Sequence, residues 1–431
     1  DSSDYSDDDD YYSDDDDYLS NDDDEYYDDD GEEEEEEINF GAVDMTMPTV
    51  VIDCGSGTLK AGFAGSEMPE YMVPTVVGSE KIRDEQHYRD HIEEIKARRA
   101  EGAELIDVDL LKFGDEALEN RGDLVLSYPI ERGHIKDWDL MQYFYEHVFF
   151  DGLKIQNVED MPVLLTETPF TSKKSRLIAA EILFETFNIK AFQIMHQSVL
   201  SLYSSGRTTG LVIDSGDSVS TAVPIYEGYL IEHAQERLNL GGRDITEYLQ
   251  RILHRRGYAL TSSAEHHFAR EMKEADAFVA LNYHQELKKP ESAFEKEFEL
   301  PDGYALDWGY ERFKAPEIMF NPMKIGKEAP GISELAFKSF SKCAIDVRKE
   351  LFRKVVLVGG NSLLNGFKER LCHDLNKYEK SFNEFRITAD PFRQISSWMG
   401  GSVYASMTTF NESLISLEEY EDHGPHILLM R

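Results

Sequence analysis

The sequence contains little cysteine and no long apolar run. Its three cysteines, Cys54, Cys343 and Cys372, lie far apart and none has CxxC spacing. This argues against a disulfide framework or a cysteine-based zinc site and favours a reducing compartment. No apolar run reaches the roughly 18 residues that a membrane helix needs, and no basic segment followed by an apolar stretch opens the sequence. We therefore expect neither membrane insertion nor secretion.

Basic residues are absent from the first part of the chain. Residues 1–37 contain 23 aspartates and glutamates and no lysine or arginine, within a chain of net charge −41. So charged a segment, with few aliphatic residues, cannot bury enough apolar surface to fold. We predict an acidic disordered tail over residues 1–46. Its charge argues against direct binding of nucleic acid.

The acidic segment also carries aromatic residues. Its six tyrosines are Tyr5, Tyr11, Tyr12, Tyr18, Tyr26 and Tyr27. They are either contacts for a basic partner or part of a solvated polyanion. The sequence leaves both alternatives open.

One motif occurs twice in the remainder of the chain. VIDCGSG at 51–57 is echoed by VIDSGDS at 212–218, and each is a β-branched run that ends in aspartate and small residues. A third apolar run, VVLVGGNS at 355–362, also leads into glycines. Strand-like runs alternate with helical patterns from about residue 47, which indicates α/β layers. The long spacing predicts a duplicated domain, with residues 204–210 as the hinge.

The repeated motif suits phosphate and metal binding. Small residues directly after a strand let backbone N–H groups surround phosphate oxygens. Asp53 and Asp214, at the strand ends, offer hard oxygen ligands to a hydrated Mg²⁺, and Lys60 can reach a phosphate as a point charge. The alternative is a pair of purely structural turns.

Longer motifs resemble those of actin and the actin-related proteins. They are VIDCGSGTLKAGFAG (51–65), YPIERG (128–133), VLLTETPF (163–170), SVLSLYSSGRTTGLVIDSGD (198–217), VPIYEGY (223–229), GGRDITEYL (241–249), ELPDG (299–303) and SSWMGGS (396–402). The resemblance covers about residues 47–431. It implies the two-lobed ATPase fold shared with hexokinases and Hsp70 chaperones, an α/β fold of duplicated ribonuclease H-like domains. Each lobe would contain a five-stranded mixed sheet.

The resemblance also implies domain limits and a ligand. The first lobe would comprise residues 47–203 and 396–431, with an insert at about 79–110, and the second lobe residues 204–395. ATP or ADP with Mg²⁺ or Ca²⁺ would lie between them. The residues implied to bind nucleotide are Ser56, Gly57, Thr58, Lys60, Asp217, Ser218, Val219, Gly242, Arg270, Lys273, Glu274 and Gly360. Asp53, Gln197 and Asp214 would hold the water shell of the metal.

Hydrolysis would depend on a few of these positions. Gln197 would orient the attacking water near Asp214, because an amide can donate and accept without acting as a strong base. Thr221 stands where actin has a histidine. We therefore expect nucleotide binding to be retained and hydrolysis to be slow.

Other positions also depart from actin. Arg132 replaces the modified histidine of the phosphate-sensing loop, and Leu364 and Gln394 replace a tyrosine and a lysine beside the adenine. Cys54 and Thr58 are atypical for the first cleft loop. The insert takes the place of an inter-subunit loop.

The apolar plug of the second lobe aligns with residues 320–327. Lys324 and Lys327 stand there in place of apolar residues. Either an acidic residue of a neighbouring subunit pairs with these lysines or the filament contact is weak, because an unpaired charge at an interface is unfavourable.

Three functions fit the sequence to different degrees. The preferred one is an ATP-binding, slowly hydrolysing cytoskeletal protein that forms filaments or co-filaments with actin-like subunits or binds actin-binding proteins. The alternative is a structural subunit of a chromatin-remodelling or dynactin-like complex. A small-molecule kinase is disfavoured, because actin-like motifs extend beyond the cleft. We expect a cytoplasmic, cytoskeletal location, with the nucleus as a further possibility.

Overall fold

The computed structural model describes residues 47–81, 111–258, 263–300, 303–378 and 385–429. The predicted tail and most of the predicted insert lie outside these residues. In chain order the strands are β1 (Val50–Cys54), β2 (Thr58–Phe63), β3 (Tyr71–Pro74), β4 (Val77–Glu80), β5 (Leu111–Phe113), β6 (Leu124–Ser127), β7 (Ile130–Glu131), β8 (His134–Ile135), β9 (Pro162–Glu167), β10 (Ala191–His196), β11 (Gly210–Ser215), β12 (Ser220–Tyr226), β13 (Tyr229–Leu230), β14 (Glu236–Leu238), β15 (Lys296–Glu299), β16 (Ala305–Trp308), β17 (Val355–Val358), β18 (Ile387–Thr388) and β19 (Ile415–Ser416).

The α-helices lie between and after these strands. They are α1 (Gly114–Glu119), α2 (Trp138–His147), α3 (Lys173–Glu181), α4 (Gln197–Ser204), α5 (Gly242–Arg256), α6 (Ser263–Asp276), α7 (Tyr283–Glu286), α8 (Glu311–Lys314), α9 (Ile332–Lys342), α10 (Ile345–Arg353), α11 (Phe367–Tyr378), α12 (Ser396–Ala405), α13 (Phe410–Ser413) and α14 (Leu417–His423). Within the described residues no helix is both long and apolar enough to cross a membrane.

Two mixed sheets form the centre of the fold. The first has the strand order β19-β10-β9-β1-β2-β3, and the second has β13-β12-β11-β17-β18 with β14 on the far end of β12. In each sheet a central strand, β1 or β11, pairs antiparallel with the next strand and parallel with a later one. This shared topology confirms the predicted duplication.

Each sheet has six strands where five were expected. In the first sheet a two-residue strand near the C-terminus, β19, pairs antiparallel with β10. In the second sheet β13 and β14 pair with opposite ends of β12, which is long enough to take both. Short edge strands of this kind carry little sequence signal, which explains the difference.

Each sheet has its own apolar core. One cluster surrounds β1 and β9 and includes Phe144, Phe149 and Leu183, while the other surrounds β11 and β17 and includes Trp308 and Phe367. A central strand that is covered on both faces usually has a mostly apolar sequence. The fully buried strands β1 and β17 follow this pattern. Separate cores are consistent with two lobes, whose exact limits stay a prediction.

Helices α4 and α12 pack closely between the sheets. A methyl group on Gly400 would lie 1.7 Å from the carbonyl oxygen of Leu200, so only glycine allows this approach. Trp398 is buried beside it and donates its indole N–H to the carbonyl of Val51 at 3.0 Å. The SSWMGGS motif thus fixes α12 against β1.

The strands on either side of the insert pair with each other. β4 and β5 are antiparallel, with Val77 opposite Phe113 and Ser79 opposite Leu111. Residues 82–110 are therefore an insertion between two adjacent strands. The insertion itself lies outside the described residues.

Candidate functional site

A cavity of about 410 Å³ lies where the ends of β1, β11 and β17 meet. Its volume is within the usual range for small-molecule sites. Predicted site residues that line it are Asp53, Ser56, Gly57, Thr58, Lys60, Gln197, Asp214, Asp217, Ser218, Val219, Gly242, Arg270, Lys273, Glu274 and Gly360. The structure therefore brings together residues that are distant in sequence.

The turns after β1 and β11 approach each other across this cavity. A methyl group on Gly57 would lie 2.7 Å from Cβ of Asp217, so the approach requires glycine. Ser56 Oγ accepts a hydrogen bond from the N–H of Gly133 at 3.1 Å, which holds the first turn against the β7–β8 hairpin. The two repeated motifs thus form opposite walls of one site.

Asp53 is surrounded by donors. Its carboxylate accepts from Lys60 Nζ at 2.9 Å, from Thr166 Oγ1 at 2.7 Å and from Gln197 Nε2 at 2.9 Å. The side chain is almost fully buried, so its charge needs this compensation. Because Gln197 uses its NH₂ group here, its Oε1 is the atom able to accept a hydrogen bond from a water in the cavity.

Asp214 has a different environment. Part of its surface opens on the cavity, and within the described part of the chain no protein donor bonds to its carboxylate. Withdrawal from bulk water, reinforced by the charge of Asp53 and opposed by Lys60, raises the pKa of Asp214 to about 6. A bound cation would favour the ionised form of this carboxylate.

The donor set fits a hydrated divalent cation. No group of three or more His, Cys, Asp or Glu side chains suited to binding a metal directly occurs among the residues that the structure describes. Asp53, Asp214 and the Gln197 amide instead supply oxygen atoms around the cavity. Mg²⁺ usually keeps several waters and takes one or two carboxylates plus phosphate oxygens. These three residues would hold its water shell.

Thr221, which stands where actin has a histidine, is not among the residues that line the cavity. It lies directly opposite Asp214 in the β11–β12 hairpin, as Lys60 lies opposite Asp53 in the β1–β2 hairpin. The long side chain of Lys60 reaches the cavity from this position. The short side chain of Thr221 does not.

The cavity also contains the residues that the family resemblance implies for an adenosine pocket, namely Gly242, Arg270, Lys273, Glu274 and Gly360. Lys273 is buried and donates to the carbonyl of Gly242 at 3.1 Å, and burial lowers the pKa of its ammonium group. Arg270 pairs with Glu274 at 2.8 Å. Leu364 and Gln394, which replace the residues beside the adenine in actin, line the cavity too.

Several residues in or beside the cavity were not predicted from the sequence. Thr166 does not line the cavity but donates to Asp53 and accepts from Gln197, and Asn361 and Arg393 line the cavity. Ser218 Oγ and Asn361 Oδ1 are buried without a hydrogen-bond partner. Because buried polar atoms are normally bonded, these two atoms fit a site completed by a polar ligand. For Asn361, the position shortly after the end of β17 was the available signal.

The loop that carries Arg132 is tied to the second sheet. Arg132 donates to the carbonyl of Ser218 at 2.8 Å and to Asp244 Oδ1 at 2.9 Å, and its own carbonyl accepts from Arg237. Burial opposes ionisation of Asp244. Arg132, the Gly241 N–H and Lys327 outweigh burial and lower its pKa. Arg132 thus connects the β7–β8 hairpin to the turn after β11.

Lys324 and Lys327 both have partners within the chain. Lys327 Nζ bonds to Asp244 Oδ1 at 3.1 Å and to the carbonyl of Asn239 at 3.0 Å. Lys324 Nζ lies 3.8 Å from the ring centroid of Tyr283. The two lysines are bound within the chain, because acidic and aromatic groups distant in sequence fold against residues 320–327.

The fold contains two similar α/β units, and each has an aspartate near the end of a central strand at one shared cavity. This arrangement is that of an actin-like nucleotide-binding fold. Residues 45–431 match the family model described as Actin. The chain belongs to the actin family. Proteins of this family generally bind a nucleotide and a divalent cation.

Proposed function

We propose that this protein binds ATP or ADP with Mg²⁺ in the cavity between its two sheets. The main support is the pair of facing turns, with Asp214 left unbonded beside the fully compensated Asp53. Backbone N–H groups of the turns and Lys60 would contact the phosphates. Unpartnered Ser218 Oγ provides a further polar contact on the second turn.

We further propose slow hydrolysis of the bound ATP. Mg²⁺, when bound, neutralises charge on the phosphates. Gln197 Oε1 would accept a hydrogen bond from the attacking water, while its Nε2 stays bonded to Asp53. An amide is not a strong base, and Thr221 brings no imidazole to the cavity. These features support slow turnover.

For the cellular role we propose assembly with other actin-like subunits or with actin-binding proteins, in the cytoplasm and cytoskeleton. A structural subunit of a larger complex is the second candidate. It is favoured by the internal bonds of Lys327 to Asp244 and Asn239, which hold residues 320–327 against the body of this chain. Sedimentation of the pure protein with Mg-ATP separates the two candidates: a pellet supports filaments, and its absence at high protein concentration supports the complex subunit.

A thermal melt tests nucleotide binding itself. A ligand that binds the native state alone raises apparent stability, by about 2.7 kcal/mol at a hundred times its Kd. We expect saturating ATP with Mg²⁺ to raise the melting temperature by several degrees. An unchanged melt would contradict the proposed function.

A further inference from the structure

Asn361 occupies a prominent place in the cavity wall. It follows β17 and two glycines, in the 3₁₀ turn Gly360–Leu363, and only 7% of its surface is exposed. It lines the cavity together with Gly242 and Lys273. Neither the repeated motif nor the family resemblance assigned it a role.

A buried chain of hydrogen bonds fixes the orientation of the Asn361 amide. The carbonyl of Leu240 can only accept, so Ser220 donates its hydroxyl hydrogen to it at 2.9 Å. Ser220 Oγ then accepts from Ser215 Oγ at 2.9 Å, and Ser215 Oγ accepts from Asn361 Nδ2 at 2.9 Å. Because each hydroxyl has a single hydrogen, this order determines which end of the amide faces Ser215.

The same order leaves Asn361 Oδ1 directed away from Ser215, and this buried atom has no partner. A methyl group on Gly242 would lie 3.2 Å from Lys273 Nζ, 3.7 Å from Oδ1 and 3.7 Å from Cα of Asp217, so this oxygen lies near Lys273 and near the turn after β11. An unsatisfied buried acceptor is unfavourable. A ligand that bonds to it must supply a donor, and phosphate oxygens of a nucleotide have none to offer.

We propose that Asn361 is a specificity residue for the nucleoside part of the bound nucleotide. Its Oδ1 accepts a hydrogen bond from either a ribose hydroxyl or the exocyclic amino group of the base. This inference rests on the proposed nucleotide binding. It adds a selection rule to it: nucleotides that lack the matching donor bind more weakly.

Calorimetric titrations of the full chain in Mg²⁺ test the rule. The ligands are ATP, 2′-deoxyATP and 3′-deoxyATP, which each lack one hydroxyl, and inosine triphosphate, which has an oxo group in place of the amino group. We expect one of the three analogues to bind wild type about ten-fold more weakly than ATP, because it leaves Oδ1 unsatisfied. The identity of that analogue distinguishes the ribose from the base.

Removing the acceptor gives the decisive comparison. In Asn361→Ala, ATP should bind about ten-fold more weakly, while the discriminated analogue should keep its affinity within about two-fold. Leu363→Ala is the matched control, since Leu363 lines the same cavity without a polar group. It should weaken all four nucleotides by a similar factor. If Asn361→Ala does not fold, Ser215→Ala keeps Asn361 but frees its amide, and should reduce the discrimination.

The outcomes separate the inference from the proposed function. If Asn361→Ala bound ATP and still discriminated against the same analogue as wild type does, the inference would be overturned and the proposed function would stand. If Asn361→Ala weakened the binding of all four nucleotides equally, Oδ1 would accept from a water and not from the nucleoside, and the inference would also be overturned. If wild type bound none of the nucleotides, the proposed function would fail and the inference with it.

Discussion

The two halves of the cavity share a backbone plan but differ in charge. In the first half Lys60 stands opposite Asp53 and neutralises it, together with Thr166 and Gln197. In the second half Thr221 stands opposite Asp214 and contributes no charge. One carboxylate is therefore compensated by the protein, and the other has a raised pKa. The repeated motif gives both halves the same backbone geometry. The residue opposite the aspartate, Lys60 in one half and Thr221 in the other, makes their charge different.

The largest expected difference concerns stability of the ligand-free protein. Asp53→Asn should lower the free energy of unfolding by about 3 kcal/mol, because it leaves the nearly buried Lys60 without its charge partner. Asp214→Asn should cause no loss, or a small gain, because the protein environment disfavours that ionised carboxylate. Urea unfolding at pH 7 measures both.

Asp307 offers a control for these variants. It lies exposed on β16, so Asp307→Asn should change the free energy of unfolding by less than about 0.5 kcal/mol. Equal losses for Asp53→Asn and Asp214→Asn would show that the two halves do not differ as described.

A second prediction uses pH to test Asp244, another carboxylate whose charge is compensated by the protein. The pKa of Asp244 is lowered in the folded state, so its bonds stabilise the protein above the unfolded pKa of about 4. That contribution is lost as the pH falls through the folded pKa. Wild type should exceed Asp244→Asn by about 2 kcal/mol at pH 7.

Denaturant unfolding over pH 3–7 measures this difference. The advantage of wild type should shrink as the pH falls below about 4. A constant difference across the whole range would mean that the charge of Asp244 does not matter.

Much of this site could be predicted from the sequence, because its motifs are local. The repeated strand and turn at Asp53 and Asp214 identified the two turns that face each other across the cavity. Thr166 was missed because its role comes from a neighbouring parallel strand, β9. The position of Thr221 outside the cavity lining was not predicted, because side-chain reach is not visible in a sequence. The bond between Lys327 and Asp244 was not predicted, because the two residues are remote in sequence.

A third prediction concerns turnover. Gln197→Ala should release phosphate from ATP about ten-fold more slowly, because the atom that accepts from the attacking water is lost. Thr221→Val, a change of similar volume outside the cavity, should leave the rate unaltered. Single-turnover phosphate release with saturating ATP measures both rates. Equal rates in Gln197→Ala and wild type would refute the role of Gln197.

The smallest expected effect concerns residues 320–327. The Lys327 side chain is 40% exposed, so its ion pair with Asp244 should contribute only about 0.5 kcal/mol. Lys327→Met also removes the bond to the carbonyl of Asn239, so the loss in wild type should exceed the loss in an Asp244→Asn background by about 0.5 kcal/mol. A double-mutant cycle by urea unfolding isolates this coupling. An equal loss in both backgrounds would mean that Lys327 acts through other contacts.

The most direct test of the account is calorimetric titration of ATP into the ligand-free protein, with Mg²⁺ and with EDTA. If Asp214 is the carboxylate left for the cation, ATP should bind much more tightly with Mg²⁺, and Asp214→Asn should reduce that dependence. Equal affinity with and without Mg²⁺, or no binding at all, would contradict the account.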